Sequence, residues 1–456
     1  MKNYDAVIIG FGKGGKTLAG ALANQGKQVA LIEKSKQMYG GTCINVACIP
    51  TKALKEQSLL SYKLGGSFEE KSERYEEAIN RKDALTTKLR NKNYHMLADR
   101  DNVIVYDGVA SFVDEHIIKI SDDNGSEEIF GSEIFINTGS RPFIAPVEGL
   151  AASKHMYVSE TLLDLKKLPA HLVIIGGGYI GLEFAMIYSG FGSSVTIIQD
   201  GDKFIPREDG EVAEAVYQTM SDRGIRIIKN AKITKVNEMA DKSEIVYTQN
   251  DEGQSLLADA ILVATGRRPN VAQLELENAN VELTPRGAIK VDEHLRTNIE
   301  HIYAMGDVVG GLQFTYISLD DQRIVKSTLA NDNKRTTLNR GNVPYTVFID
   351  PPLSRVGMSE EEAVNAGYEI KIARLSPLNI PKAAILGQQA GLLKVIINAA
   401  DDTILGAHLF CIESQEMINI FKLAMDAKIP YQVLRDNVYN HPTMSESIND
   451  LLNNIA

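Results

Sequence analysis

The chain has only three cysteines in 456 residues, too few for the disulfide framework of a secreted module. No apolar run approaches the roughly 20 residues of a membrane span. There is no basic block either: the formal net charge is −11, with both signs spread along the chain. A phosphate-backbone partner is therefore disfavoured, and neither nucleic acid nor a membrane is expected as a partner. The opening Met1-Lys2-Asn3-Tyr4-Asp5 runs into a short apolar strand and then glycines, without the apolar core and cleavage site of a signal peptide. Low-complexity segments and solenoid repeats are missing too. These absences predict a soluble, cytoplasmic protein. Its length corresponds to about three domains, and its 44% apolar composition suffices for large cores.

What is present is a nucleotide-binding device written twice. Ala6-Val7-Ile8-Ile9 reads as a buried parallel strand, ending in Gly10-Phe11-Gly12-Lys13-Gly14-Gly15 before a helical stretch through Ala23. The next strand, Gln28 to Ile32, ends at Glu33. Gly10 and Gly12 permit the tight turn and close pyrophosphate approach, Gly15 permits helix-on-strand packing, and Glu33 can bind an adenosine ribose hydroxyl. The device recurs as Leu172-Val173-Ile174-Ile175, then Gly176-Gly177-Gly178-Tyr179-Ile180-Gly181, a helix, and the strand Ser194 to Ile198. Two dinucleotides are thus expected. Gln199 stands as far from Gly176 as Glu33 does from Gly10, so a neutral amide takes the second ribose-reading position. Glutamate there would repel a 2′-phosphate; glutamine removes the repulsion without supplying a cation. Arg207, in Phe204-Ile205-Pro206-Arg207, is either that cation or an ordinary surface arginine, so the coenzyme is written NAD(P)H.

Between the two units, Ala84, Leu85, Leu89 and Leu97 fall at helical spacing within a charged stretch near 55–100, which predicts long helices. Residues near 103–137 read as short strands with a turn at Asp122-Asp123-Asn124-Gly125, leading to Thr138-Gly139; Ala260 to Ala264 leads likewise to Thr265-Gly266. From about 340 the pattern is strand-rich, then helical from Glu413, as in a separate α+β domain.

Cys43 and Cys48 follow the first unit directly, in Gly40-Gly41-Thr42-Cys43-Ile44-Asn45-Val46-Ala47-Cys48-Ile49-Pro50-Thr51-Lys52. In an ideal helix their Cα atoms would lie about 8.6 Å apart, whereas a disulfide tolerates roughly 4.4–6.8 Å. A bridge needs an irregular turn. Pro50 supports one, because its missing N–H suits a first helical turn, and a helix start stabilises thiolate through its amides and dipole. Cys411, on an apparent apolar strand, is expected to be buried and inert. No metal site is assigned.

The ordered set of first glycine turn, Cys43-x4-Cys48-x-Pro50-Thr51-Lys52, second glycine turn, Ala304-Met305-Gly306-Asp307 and His441-Pro442-Thr443-Met444-Ser445-Glu446 resembles the class I pyridine nucleotide-disulfide oxidoreductases. That family includes glutathione reductase, lipoamide dehydrogenase and mercuric reductase. The resemblance covers essentially the whole chain. It implies an α/β fold with two Rossmann-like dinucleotide-binding domains, for FAD and NAD(P)H, plus a C-terminal α+β dimerisation domain. The implied boundaries are 1–149 for the first part of the FAD domain, 150–268 for the NAD(P) domain, 269–339 for the second, central part of the FAD domain and 340–456 for the interface domain. Cys48 becomes the flavin-facing thiol and Cys43 the interchange thiol that meets substrate. Lys52 and Glu183 match the pair beside the flavin and nicotinamide, Tyr179 the aromatic gate over the flavin face, and Asp307 the ligand of the ribityl chain. Gly41, Thr42, Thr138, Gly139 and Gly266 join Gly10, Gly12, Gly15, Glu33, Gly176, Gly178, Gly181, Gln199 and Arg207 as cofactor-binding candidates. His441 and Glu446 match an acid–base dyad that acts across the interface of an obligate homodimer. One departure is Ala47, where most members carry glycine.

Four narrower stretches, Gly10 to Ala19, Gly310 to Asp321, Pro351 to Met358 and Ser445 to Asp450, are similar to the bacterial reactive-chlorine-resistance flavoproteins. The resemblance implies reduction of hypothiocyanous acid, and copper(II) reduction has also been attributed to that group. Leu451 to Ala456 contain no cysteine, so the sequence favours a small electrophile that reaches Cys43 directly. The mechanism implied has the Cys43 thiolate attack the oxidant's sulfur, His441 protonate the departing oxygen and Cys48 release thiocyanate. An unperturbed thiol is only about 3% ionised at pH 7, so the helix start, flavin and His441 are expected to lower the pKa of Cys43. The rival readings are a reductase of small disulfides of the glutathione or lipoamide type, a Cu(II) or Hg(II) reductase, and a flavin-based redox sensor.

Overall fold

The computed structural model describes residues 1–455. At its N-terminal end the strand Lys2–Ile9 buries Ala6, Val7, Ile8 and Ile9, as a strand covered on both faces must. It pairs in parallel with Val29–Glu33 on one side and Gly125–Ile136 on the other. Among the described residues this sheet has seven strands, with Val103–Asp107 outside Val29–Glu33. Gly125–Ile136 is two strands in one: its first half runs antiparallel to Ile117–Asp122, its second half parallel to Lys2–Ile9 and Ile302–Ala304. The chain therefore returns after the second unit to complete the first, which carries Gly306 and Asp307 to the carboxyl ends of the strands, where open α/β sheets bind ligands.

The second unit is a parallel sheet centred on His171–Ile175, with Ser194–Ile198 and Arg226–Ile228 to one side and Ala260–Val263 and Met156–Val158 to the other. Where chain passes between the units, Ser140–Pro142 pairs antiparallel with Arg267–Pro269, directly after the two Thr-Gly turns. The C-terminal region is an antiparallel sheet in the order Tyr345–Val347, Leu353–Gly357, Ile404–Phe410, Leu392–Asn398 and Ile370–Leu375. The helix Ser414–Asp426 lays Met417, Ile418, Phe421 and Ala424 against it. Cys411 lies one residue beyond its strand, fully buried, and burial raises its thiol pKa.

Two helices, Cys48–Leu64 and Phe68–Ala98, fill the charged stretch. Ser67 and Glu70 form a reciprocal cap that starts the second. Its buried face differs from the one the apolar spacing marks: Ala84 and Leu85 are exposed, while Tyr75, Ala78, Ile79, Lys82, Thr86, Asn93 and Leu97 are buried. The reason is polar packing across domains, as when Lys82 Nζ donates to Leu163 O at 2.7 Å. No helix among the described residues is long and apolar enough to cross a membrane.

Candidate active site

The first glycine turn is held from three distant segments. Gly10 has φ +108°, and a Cβ there would overlap Asn137 O; one on Gly15 would overlap Gly10 O. Asn137 Oδ1 accepts the Gly15 N–H at 2.8 Å, its Nδ2 donates to Met305 O at 2.6 Å, and Ser318 Oγ accepts the Gly14 N–H at 3.1 Å. Asp321, buried, accepts the Gly306 N–H at 2.8 Å and is paired with Arg340 at 2.7 Å. A Cβ on Gly41 would stand 2.6 Å from Gly12 Cα, so the loop leading to Thr42 and Cys43 touches the turn backbone to backbone. Glu33 is buried and accepts from Phe11 N at 3.1 Å and Ser35 N at 3.3 Å; desolvation dominates and raises its pKa. Asp307, likewise raised by burial, accepts from Ser140 Oγ at 2.8 Å, and Arg267 Nε donates to Ser140 Oγ at 2.9 Å. Thr138 Oγ1 donates to Asn270 O at 2.8 Å, beside Gly139 at φ +71°. No motif singles out Asn137, Ser318, Asp321 or Arg340; Asn137 stands beside Thr138, and Ser318 and Asp321 fall in the Gly310–Asp321 stretch, while Arg340 has no such signal.

The thiol pair sits at a break between two helices. Thr42–Asn45 stops at Val46, and Cys48 opens Cys48–Leu64 with Pro50 in its first turn, as the spacing requires. Ala47, at the break, has φ −143°, which needs no glycine. Both thiols are free and hydrogen-bonded to each other. The shared hydrogen bond pushes the two apart in acidity, Cys43 up and Cys48 down. The Cys43 hydrogen bond is the main force on Cys48; Thr315, whose Oγ1 is 3.5 Å from Cys48 Sγ, and Lys52 add to it against burial, and bring Cys48 down to about 6. The same hydrogen bond, then burial, raises Cys43. This corrects the expectation that the helix start lowers Cys43: Cys43 also lies in a first helical turn, but its hydrogen bond to Cys48 and its burial outweigh the lowering by Thr315 and Lys16. Lys16 Nζ, bonded to Asn93 Oδ1, lies near enough for its charge to act on Cys43.

Lys52 and Glu183 meet, with Nζ at 3.0 and 2.8 Å from the two carboxylate oxygens. Phe348 N donates to Glu183 Oε1 at 2.9 Å, and the Lys52 ammonium stands 4.6 Å from the Phe348 ring centre. Tyr179 opens the helix Tyr179–Gly190, and its hydroxyl bonds Glu208. His441 and Glu446 also meet, Nδ1 to Oε2 at 2.7 Å, but His441 is exposed and is not among the groups acting on the thiols within the chain.

The second glycine turn repeats the first in backbone: Gly176 has φ +109°, a Cβ there would stand 2.5 Å from Ala264 O, and one on Gly181 would overlap Gly176 O. Gly178 is extended, and Gly266, at φ +114°, accepts from Phe143 N at 2.9 Å. Gln199 is oriented by its neighbours. Its Nε2 donates to Gly201 O at 3.0 Å and Lys203 O at 2.9 Å; carbonyls only accept, so the nitrogen must face them and Oε1 faces Gly177. Arg207 is exposed, and its carbonyl accepts from Arg355.

Comparisons with known proteins agree with this architecture. Residues 4–322 match the family model for pyridine nucleotide-disulphide oxidoreductases, and residues 343–452 match that family's dimerisation domain. The chain is 47% identical to the probable pyridine nucleotide-disulfide oxidoreductase RclA of Escherichia coli K12, over 99% of each chain. It is 31% identical to dihydrolipoyl dehydrogenase of Corynebacterium glutamicum, over 100% of this chain and 98% of that one. A solved Cu(II) complex of the HOCl-induced flavoprotein disulfide reductase RclA from Escherichia coli superposes with a TM-score of 0.94, at 46% identity over 99% of both chains.

Proposed function

The chain belongs to the pyridine nucleotide-disulphide oxidoreductase family, and from that premise we propose that it is an NADH-dependent flavoenzyme that reduces hypothiocyanous acid to thiocyanate and water through Cys43 and Cys48. The observation that carries this reading is the geometry of the thiol pair: Cys43 and Cys48 are hydrogen-bonded to each other at the break between two helices, with Thr315 Oγ1 3.5 Å from Cys48 Sγ, an arrangement that lowers the pKa of Cys48 and raises that of Cys43.

FAD fits the first unit, where a glycine cradle that a Cβ would fill faces a helix start, the Glu33 carboxylate accepts from Phe11 in that turn, and Asp307 would supply a second carboxylate. When bound, FAD relays the two electrons of a nicotinamide to the Cys43–Cys48 disulfide. In the dimer that the 343–452 match supports, His441 of the partner subunit takes the Cys43 proton, and its own Glu446 holds the resulting imidazolium. The Cys43 thiolate attacks the sulfur of hypothiocyanous acid, and the imidazolium returns the proton to the departing oxygen as water. Cys48, already ionised, then attacks Cys43 Sγ, expels thiocyanate and forms the disulfide. Dithiol monoanion and oxidant supply all the atoms and charge of disulfide, water and thiocyanate, with no proton borrowed from solvent.

Gln199 selects NADH. With both amide hydrogens committed to the loop, it offers the ribose an acceptor that suits a 2′-hydroxyl and opposes the oxygens of a 2′-phosphate. The exposed Arg207 is then a surface arginine. The Cu(II) complex of the E. coli relative favours one second reading, reduction of copper(II). Steady-state NADH oxidation against hypothiocyanous acid, glutathione disulfide, lipoamide, Cu(II) and Hg(II) tests the choice. Hypothiocyanous acid is expected to give the largest kcat/KM; a disulfide or metal ion ahead of it by orders of magnitude would overturn the proposal.

A further inference from the structure

Glu208 is a buried carboxylate next to an exposed arginine, and it serves two tyrosines. Its Oε1 accepts from Tyr179 Oη and, at 2.7 Å, from Tyr345 Oη, while the two hydroxyls lie 3.3 Å apart. Its other oxygen, Oε2, is enclosed and has no partner among the described residues. Losing Tyr179 would therefore leave a buried carboxylate with a single tyrosine donor, and an unsatisfied buried acceptor is costly. Tyr345 is fixed in turn: it stacks on Phe314, and Phe314 on Tyr316, with ring centres 5.8 and 5.2 Å apart. Between those two rings the chain carries Thr315, the partner of Cys48.

We propose that Glu208 is a positioning residue that latches Tyr179 shut, so that nicotinamide entry must first break the Tyr179–Glu208 hydrogen bond. The proposal rests on the reading of Tyr179 as the aromatic gate at the nicotinamide-facing side of the flavin. A latched gate lowers apparent affinity by the fraction of time it stands open, because only the open form accepts the ligand. The latch joins three pieces of chain: the second glycine turn, the loop before the helix Gly210–Asp222, and the first strand of the C-terminal sheet.

The experiment is anaerobic stopped-flow reduction of the flavin-loaded enzyme by NADH, which separates apparent Kd from limiting rate. Glu208→Ala should lower the apparent Kd about tenfold, the scale of one net hydrogen bond, with the limiting rate little changed. Tyr179→Phe, which keeps the ring and removes the hydroxyl, should lower the apparent Kd by a similar factor, and the double variant should show no further decrease in Kd. Glu208→Gln, which retains an acceptor, should fall between and serves if the alanine variant loses flavin. An unchanged Kd in both Glu208 variants while Tyr179→Phe lowers it, or a full second decrease in the double variant, would overturn the latch. An unchanged Kd in Tyr179→Phe would overturn the gate reading as well.

Discussion

The two glycine turns have nearly the same backbone and very different surroundings. Gly10 and Gly176 share a φ near +108°, and Gly15 and Gly181 each leave no room for a Cβ. Yet the first turn is braced by Asn137, Ser318 and Met305 from across the domain, and its acid, Glu33, is buried. The second rests on the strand beneath it, and the residue at the position matching Glu33 is a glutamine, Gln199, anchored to a surface loop. The difference suits a resident group in one and a visiting coenzyme in the other. Preorganised buried donors hold a ligand that never leaves, whereas a coenzyme exchanged at every turnover gains nothing from being held so hard.

Breaking each turn separately should have the largest effect. Gly10→Ala, strained at φ +108° and overlapping Asn137 O, is expected to yield protein without flavin. Gly176→Ala should instead stay yellow and lose at least about a hundredfold in its rate of reduction by NADH, the scale of a misplacement near 1 Å. Flavin absorbance per chain and the stopped-flow reduction rate read the two outcomes. A smaller effect should sharpen the contrast: Gln199→Ala should lower kcat/KM for NADH about tenfold and leave that for NADPH nearly unchanged, because only the 2′-hydroxyl loses an acceptor. The smallest effect is a titration confined to the first unit. Because the pKa of Cys48 is lowered to about 6, its thiolate signal in the reduced enzyme should persist as pH falls from 8 and disappear only through about pH 6. Cys48→Ser should abolish that signal at every pH, while Gln199→Ala should leave its midpoint in place.

The parts of this molecule legible in the sequence are those fixed locally. The strand Ser194–Ile198 and the helix ending at Ala23 follow from short apolar runs and glycine turns, and the helix break before Cys48 from Pro50 and cysteine spacing. Position alone makes Gln199 a candidate, but which way its amide points depends on the carbonyls of Gly201 and Lys203. Asn137, Ser318, Asp321, Glu208 and Tyr345 act through partners far away in sequence, and no spacing announces them. The same holds for Ala84 and Leu85, exposed because the long helix turns Lys82 and Thr86 inward along with Tyr75, Ala78 and Ile79. The acidity of Cys48 is likewise set in the folded chain: the hydrogen bond with Cys43 lowers its pKa most, and Thr315 and Lys52 add to it.

In the proposed mechanism Cys43 alone meets the oxidant, while Cys48 and the two dinucleotide units supply electrons to it. Cys43→Ser in the flavin-loaded enzyme tests it most directly, with flavin reduction by NADH and turnover of hypothiocyanous acid measured on the same preparation. Flavin reduction should proceed at the unaltered enzyme's rate with no turnover; undiminished turnover would rule this mechanism out.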